Sequence, residues 1–295
     1  MPAPVLVLVD GTVDNGTFLP AGRNIPTTMT FFERLGERIR RMDTVVSVGL
    51  DPDPDRLPES VRGVDLPRWA FNRRIVDATH EHAACFKPNA AFYEDSEGWR
   101  ALRETVAYAH GKDVPVLLDA KRGDVGNTAR QYAAVLDEVD AITVNPYLGR
   151  DALDPFLSRE EKGIFVLCRT SNAGGADLQD LELASGEPVY ERIAALADLW
   201  NGNGNVGLVV GATAPEELEA VREIVPDIPF LVPGVGTQGG DERAAIQYGL
   251  ADGLGLVNSS RGIIFAGEDA RDPDAYFDAA GAAAKRLKRR LNVYR

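Results

Sequence analysis

The sequence predicts an α/β protein folded as one (β/α)8 TIM barrel, and three observations carry that expectation. Eight apolar runs punctuate the chain, each followed by a helix-like segment. The runs are continuous and contain β-branched residues, the pattern of parallel strands covered on both faces. Polar and charged residues gather where the runs end, on the side of such a barrel where active sites lie. With 295 residues, the chain exceeds the roughly 250 that this fold typically uses.

Residues 1–28 stand apart. They hold one short apolar run, Val5 to Val9, then Gly, Asn, Thr and Pro without a helical or strand period. They are expected to be a disordered extension, with the barrel domain running from 29 to 295. Thr30 can cap a helix through Arg41 that places Phe31, Phe32, Leu35 and Ile39 on one side.

The repeating units follow in order. Val45 to Leu50 ends in Asp51 and leads to a helix near Pro67 to His82. Cys85-Phe86 runs into Lys87-Pro88-Asn89 ahead of a helix near Glu97 to Gly111. Val114 to Leu118 precedes Asp119-Ala120-Lys121-Arg122-Gly123-Asp124, with a helix near Gly126 to Glu138. Ala141 to Val144 ends in Asn145, with a short helix near Ala152. Ile164 to Leu167 ends in Arg169-Thr170-Ser171, and a long loop leads to a helix near Val189 to Leu199. Val206 to Val210 precedes a helix opened by Pro215. Phe230 to Val232 ends in Pro233-Gly234-Val235-Gly236-Thr237-Gln238, before a helix near Asp241 to Tyr248. Gly253 to Val257 ends in Asn258-Ser259-Ser260-Arg261, and the last helix spans about Pro273 to Leu291.

Composition narrows the function classes. A hydrophobic share of 44% is that of a globular protein with a real core. No apolar stretch reaches the roughly 18 residues that span a membrane. No secretory signal pattern opens the chain, so a cytoplasmic location is expected. A net charge of −13 argues against nucleic acid as a partner. Only six of the 32 basic residues are Lys, and an acidic, lysine-poor surface suits a salt-rich cytoplasm where screening weakens self-repulsion. Cys85 and Cys168 both lie in apolar runs and read as buried free thiols. With three histidines and no close ligand spacing, the chain carries no metal signature, and neither metal nor cofactor is expected.

The chemistry concentrates after the third run. Asp119 and Lys121 are two residues apart, a spacing that on a regular strand points both side chains to one face. Lys87, Asp119, Lys121 and Asp124 make an alternating set of charges. A lysine held between two carboxylates keeps its proton and suits proton donation better than Schiff-base formation, which needs a neutral amine. An ammonium beside a carboxylate fits a reaction that develops a carbanion and then protonates it, such as decarboxylation. The glycine-rich turn around Gln238 and the Ser260-Arg261-Gly262 turn expose backbone N–H groups and a guanidinium. Together they form the phosphate site usual for such barrels.

The Asp119-x-Lys121-x-x-Asp124 motif, with Thr128 four residues on, resembles the signature of orotidine 5′-phosphate decarboxylases. Phe86-Lys87-Pro88-Asn89, Gly49-Leu50-Asp51-Pro52 and Pro233 to Gln238 fall where that family has its matching pieces. The Asp-Ala-Lys-Arg-Gly-Asp form is similar to the type 2 subgroup of archaea and some bacteria. The likeness covers about Thr30 to Leu291. It implies cofactor-independent decarboxylation of orotidine 5′-phosphate to uridine 5′-phosphate. Lys121 would protonate C6, Asp119 would face the substrate carboxylate, and Lys87 would hold Asp119 and a ribose hydroxyl. Asp51 would bind ribose, Ser171 the pyrimidine, and Gln238, Ser260 and Arg261 the phosphate. Asp124 and Thr128 would reach the neighbouring subunit's site, which implies a homodimer.

Two other readings compete. Magnesium-dependent sugar-phosphate lyases of the same barrel group share the Asp-x-Lys-x-x-Asp motif, but they carry a metal-binding carboxylate on the second strand, where this chain has the cation Lys87. A non-catalytic nucleotide-binding barrel is the reading that fold alone never excludes.

Overall fold

The computed structural model describes residues 29–212, 215–235, 240–250, 253–270 and 272–295. The expected N-terminal extension and Gln238 lie outside the described residues.

Eight parallel strands form one sheet: β1 (Val46–Leu50), β2 (Cys85–Pro88), β3 (Leu117–Arg122), β4 (Ala141–Val144), β5 (Gly163–Arg169), β6 (Val206–Val210), β7 (Phe230–Val232) and β8 (Gly255–Ser259). Their order is β2-β1-β8-β7-β6-β5-β4-β3. Parallel bridges Phe86↔Val116 and Asn89↔Asp119 bring the two ends together, so the sheet closes into a barrel. β1, β6, β7 and β8 are buried at every position, which is why their sequences are apolar runs rather than alternating ones.

Helix α1 (Phe31–Met42) starts with a capping box between Thr30 and Glu33, as the Thr30 position predicts. It lies across the N-terminal ends of the strands. Phe31 and Phe32 pack edge-to-face on Phe165 of β5. Gly163 is tied to this contact, because a Cβ there would sit 2.3 Å from the Phe31 ring. On the same helix the buried Arg38 guanidinium donates to the carbonyls of Ala83, Asp113 and His80, which anchors the segments entering β2 and β3. The predicted helices are present at Pro67–Thr79, Ser96–Gly111, Gly126–Ala133, Arg150–Leu157, Val189–Trp200, Pro215–Ile224, Glu242–Gln247 and Pro273–Asn292. Cys85 and Cys168 are free and buried, and burial pushes both thiols up.

One strand departs from the expected alternation. β3 pairs with β4 at Leu117↔Ala141 and Leu118↔Ile142, and next at Arg122↔Val144. Asp119, Ala120 and Lys121 therefore stand opposite the single residue Thr143, and β3 bulges. Lys121 takes up the extra chain in a left-handed conformation with φ +49°. The shared face of Asp119 and Lys121 is thus made by a bulge, not by the regular pleat that the spacing suggested.

Candidate active site

The charged centre lies at the C-terminal ends of β2 and β3. Lys87 leaves β2 beside Gly49 of β1 and is only 4% exposed. Its Nζ donates to Asp119 Oδ2 at 3.0 Å. Lys121 Nζ donates to Asp119 Oδ1 at 2.5 Å, and Thr143 Oγ1 donates to the same oxygen at 2.9 Å. Burial alone would push the Asp119 carboxyl up. Lys87 and Lys121 outweigh that and hold it below the usual carboxylate range. Burial likewise works against the Lys87 ammonium, yet Asp119 and then Asp51 raise it above the ordinary lysine value. Two ammonium groups thus converge on one ionised carboxylate. Lys87 is locked in place, while about half of the Lys121 side chain remains exposed toward the barrel mouth.

Asp124 is not part of this cluster within the chain. Its Oδ1 accepts from the Val125 backbone N–H, and among the described residues the carboxylate that Lys121 pairs with is Asp119. Lys87 pairs with Asp119 at 3.0 Å, and the charge of Asp51 adds to the raising of its ammonium pKa. Asp124 is set apart by the bulge, after which Gly123 turns the chain away against the Asn145 backbone. Thr128 lies on the exposed side of the helix that follows. Around them Val125, Tyr132, Tyr147 and Leu148 are exposed, with Tyr147 at 77%.

Asp51 and Ser260 meet where β1 and β8 end. Ser260 Oγ donates to Asp51 Oδ2 at 2.6 Å. Gly49 permits this approach, since a Cβ there would lie 2.5 Å from Ser260 Cβ. Asp51 Oδ1 is buried and has no hydrogen-bond partner among the described residues. A buried carboxylate oxygen without a partner is costly, and in a pocket it marks a position for a ligand hydroxyl. The main chain just before it is fixed by Tyr93, whose buried hydroxyl donates to the Leu50 carbonyl and accepts from Asn72 Nδ2.

Ser171 follows β5, with Gly211 of the next strand's exit against its Cβ. The adjacent Thr170 hydroxyl is engaged with Asn172 Oδ1 at 2.7 Å and with the Gln179 amide at 2.9 Å, so it serves the loop. Arg169 is a residue that sequence reading passed over. Its buried guanidinium pairs with Glu217 at 2.6 Å and with Asp180 at 3.3 Å, tying the loop after β5 to the helix after β6. An arginine at a strand end has no sequence signal that separates it from a solvated one. Arg261 begins a short helix, Arg261–Ile264, and its exposed guanidinium has no carboxylate partner among the described residues.

This arrangement offers a buried anion flanked by two cations, an acceptor for hydroxyls, and, two strands from Lys87 at the end of β8, a guanidinium with no carboxylate partner among the described residues. Comparison with known proteins gives the family. The sequence profile of the orotidine 5′-phosphate decarboxylase / HUMPS family matches residues 44–276. An orotidine 5′-phosphate decarboxylase of Halorubrum lacusprofundi is 76% identical over 276 residues, an alignment that covers 90% of this chain and all of that one. One from Dechloromonas aromatica is 46% identical over 275 residues, again covering 90% of this chain and all of the relative. Among solved structures, Leishmania donovani OMP decarboxylase superposes with a TM-score of 0.76 at 42% identity, covering 90% of this chain and 98% of that one. By sequence and by fold, the chain belongs to the orotidine 5′-phosphate decarboxylase / HUMPS family.

Proposed function

We propose that the barrel, residues 29–295, decarboxylates orotidine 5′-phosphate to uridine 5′-phosphate, the step that completes UMP synthesis. The observation that carries this reading is the Lys87–Asp119–Lys121 cluster, in which one buried carboxylate holds two ammonium groups. In the reaction the bond between C6 and the carboxylate breaks, CO2 leaves, and the electron pair stays at C6. Lys121 Nζ then gives its proton to C6. A fixed positive charge stabilises the developing carbanion most where water is excluded, and Lys87 supplies a second one beside it. Asp119 faces the substrate carboxylate and keeps Lys121 aimed.

The remaining roles follow the chemistry of each position. Asp51, with its unsatisfied oxygen, receives a ribose hydroxyl, and Lys87 a second. Ser171 contacts the pyrimidine, supported by the engagement of the neighbouring Thr170 hydroxyl elsewhere. Arg261, Ser260 and Gln238 take the phosphate. Remote phosphate binding then supplies energy that closes the site over the base. Asp124 and Thr128 complete the site of a second copy, so the working unit is a homodimer. The exposed Val125, Tyr147 and Leu148 beside them favour this.

A magnesium-assisted sugar-phosphate reaction fits less well, because Lys87 places a buried cation where the metal's carboxylate ligand would stand. The test is direct: purified protein, with EDTA present, should consume orotidine 5′-phosphate as read by its loss of absorbance. No loss with a verified folded dimer, or a strict requirement for added magnesium, would overturn the proposal.

A further inference from the structure

Thr143 is the only residue of β4 opposite the three-residue bulge of β3, and it is 1% exposed. Its hydroxyl makes two bonds at once. It accepts from the Lys121 backbone N–H at 2.9 Å and donates to Asp119 Oδ1 at 2.9 Å. That oxygen also receives Lys121 Nζ. The backbone amide and the side-chain ammonium of Lys121 are therefore both tied to Asp119 Oδ1, one through Thr143 and one directly.

The geometry points to Thr143 as a positioning residue for proton transfer: its hydroxyl holds Lys121 in the left-handed backbone conformation that aims the ammonium at the reacting carbon. This rests on the proposed role of Lys121. A non-glycine residue at φ +49° is disfavoured unless surrounding contacts hold it. The bulge removes the regular ladder partner that the Lys121 amide would otherwise have, and the Thr143 hydroxyl replaces it. Without the hydroxyl, the Lys121 amide and Asp119 Oδ1 each lose a partner in a largely buried site. The chain then relaxes toward extended geometry, which swings the side chain off its line. The same hydroxyl fixes the Asp119 carboxylate plane, so both groups are set by one residue that itself does not touch substrate.

The experiment measures steady-state decarboxylation by wild type, Thr143→Val and Thr143→Ser, with Lys121→Ala as the control for the underlying reading. Thr143→Val keeps the shape and removes the hydroxyl. It should lower kcat on the order of 10- to 100-fold, the effect of misplacing a reacting group by about an ångström, with KM nearly unchanged. Thr143→Ser keeps the hydroxyl and should restore kcat to within about threefold of wild type, since no transition-state contact is lost. If Thr143→Val does not fold, Thr143→Ala serves as the second hydroxyl-free variant with the same expectation. Wild-type kcat in a folded hydroxyl-free variant, or a Thr143→Ser enzyme as slow as one, would overturn the inference. Turnover that survives Lys121→Ala would instead bring down the proton-donor assignment on which it rests.

Discussion

The Lys87 ammonium lies 3.0 Å from the Asp119 carboxylate, and both are withdrawn from solvent at the junction of β2 and β3. Burial opposes the charge on each, and each keeps its charge because of the other. Removing one partner strands the other. Lys87→Met should destabilise the fold by roughly 3 kcal/mol, the low end for a broken buried pair because Lys121 stays with Asp119. Denaturant unfolding measures this, and turnover should be lost in the same variant.

The pair also sets a pH window for stability. The folded-state pKa of Asp119 is depressed, so its contribution is complete above the ordinary carboxylate value of about 3.9 and is lost as pH falls through the lower folded value. The pKa of Lys87 is raised. Its contribution is complete below about 10.4 and is lost as pH rises through the higher folded value. Unfolding midpoints should therefore show no loss from this pair between about pH 5 and pH 10. An Asp119→Asn variant should lose less stability than wild type on acidification below that window. An acid limb as steep as that of wild type would contradict the assignment.

Gly49 carries a prediction that its position in an apolar strand hides. Gly49→Ala places a methyl group 2.5 Å from Ser260 Cβ. Overpacking of this kind costs about 1–3 kcal/mol. It should also push Ser260 off Asp51 and raise KM, a double effect that thermal unfolding and steady-state kinetics separate.

Arg261→Ala should weaken ligands that bear the phosphate and leave the unphosphorylated nucleoside nearly unaffected. A charge-assisted hydrogen bond contributes about 2 kcal/mol, which corresponds to roughly 30-fold in affinity. Titration calorimetry with uridine 5′-phosphate and with uridine makes the comparison. Equal losses for both would contradict the phosphate role.

Much of this architecture was legible beforehand, for identifiable reasons. Strands buried on both faces leave continuous apolar runs such as Val206 to Val210, and Thr30 with Glu33 is a cap that sequence spacing reveals. The charges Lys87, Asp119 and Lys121 stood out because apolar runs do not end in a cluster of opposite charges without cause. What escaped was backbone geometry. The Asp119–Lys121 spacing fits a regular strand, and only the register against β4 shows that three residues face Thr143 alone. Thr143 itself left a faint trace, a hydroxyl inside the run Ala141 to Val144, where a buried donor must find a partner. Arg169 left none, because its carboxylate partners, Asp180 and Glu217, are 11 and 48 positions away.

The proposed dimer with shared sites is tested by subunit exchange. In such a dimer, mixing Lys121→Ala with Asp124→Ala protein would collect both defects in one site of a heterodimer and leave the other site intact. Activity should recover toward a quarter of wild type, the share of intact sites after random exchange in an about 1:1 mixture. No recovery after verified exchange would contradict a site completed by the second copy.

In the proposed mechanism Lys121 delivers the proton while Asp119 and Lys87 hold it in place. Turnover by Lys121→Ala, measured beside its affinity for uridine 5′-phosphate, tests it most directly. Decarboxylation should disappear while the nucleotide still binds. Substantial decarboxylation by that variant would contradict it.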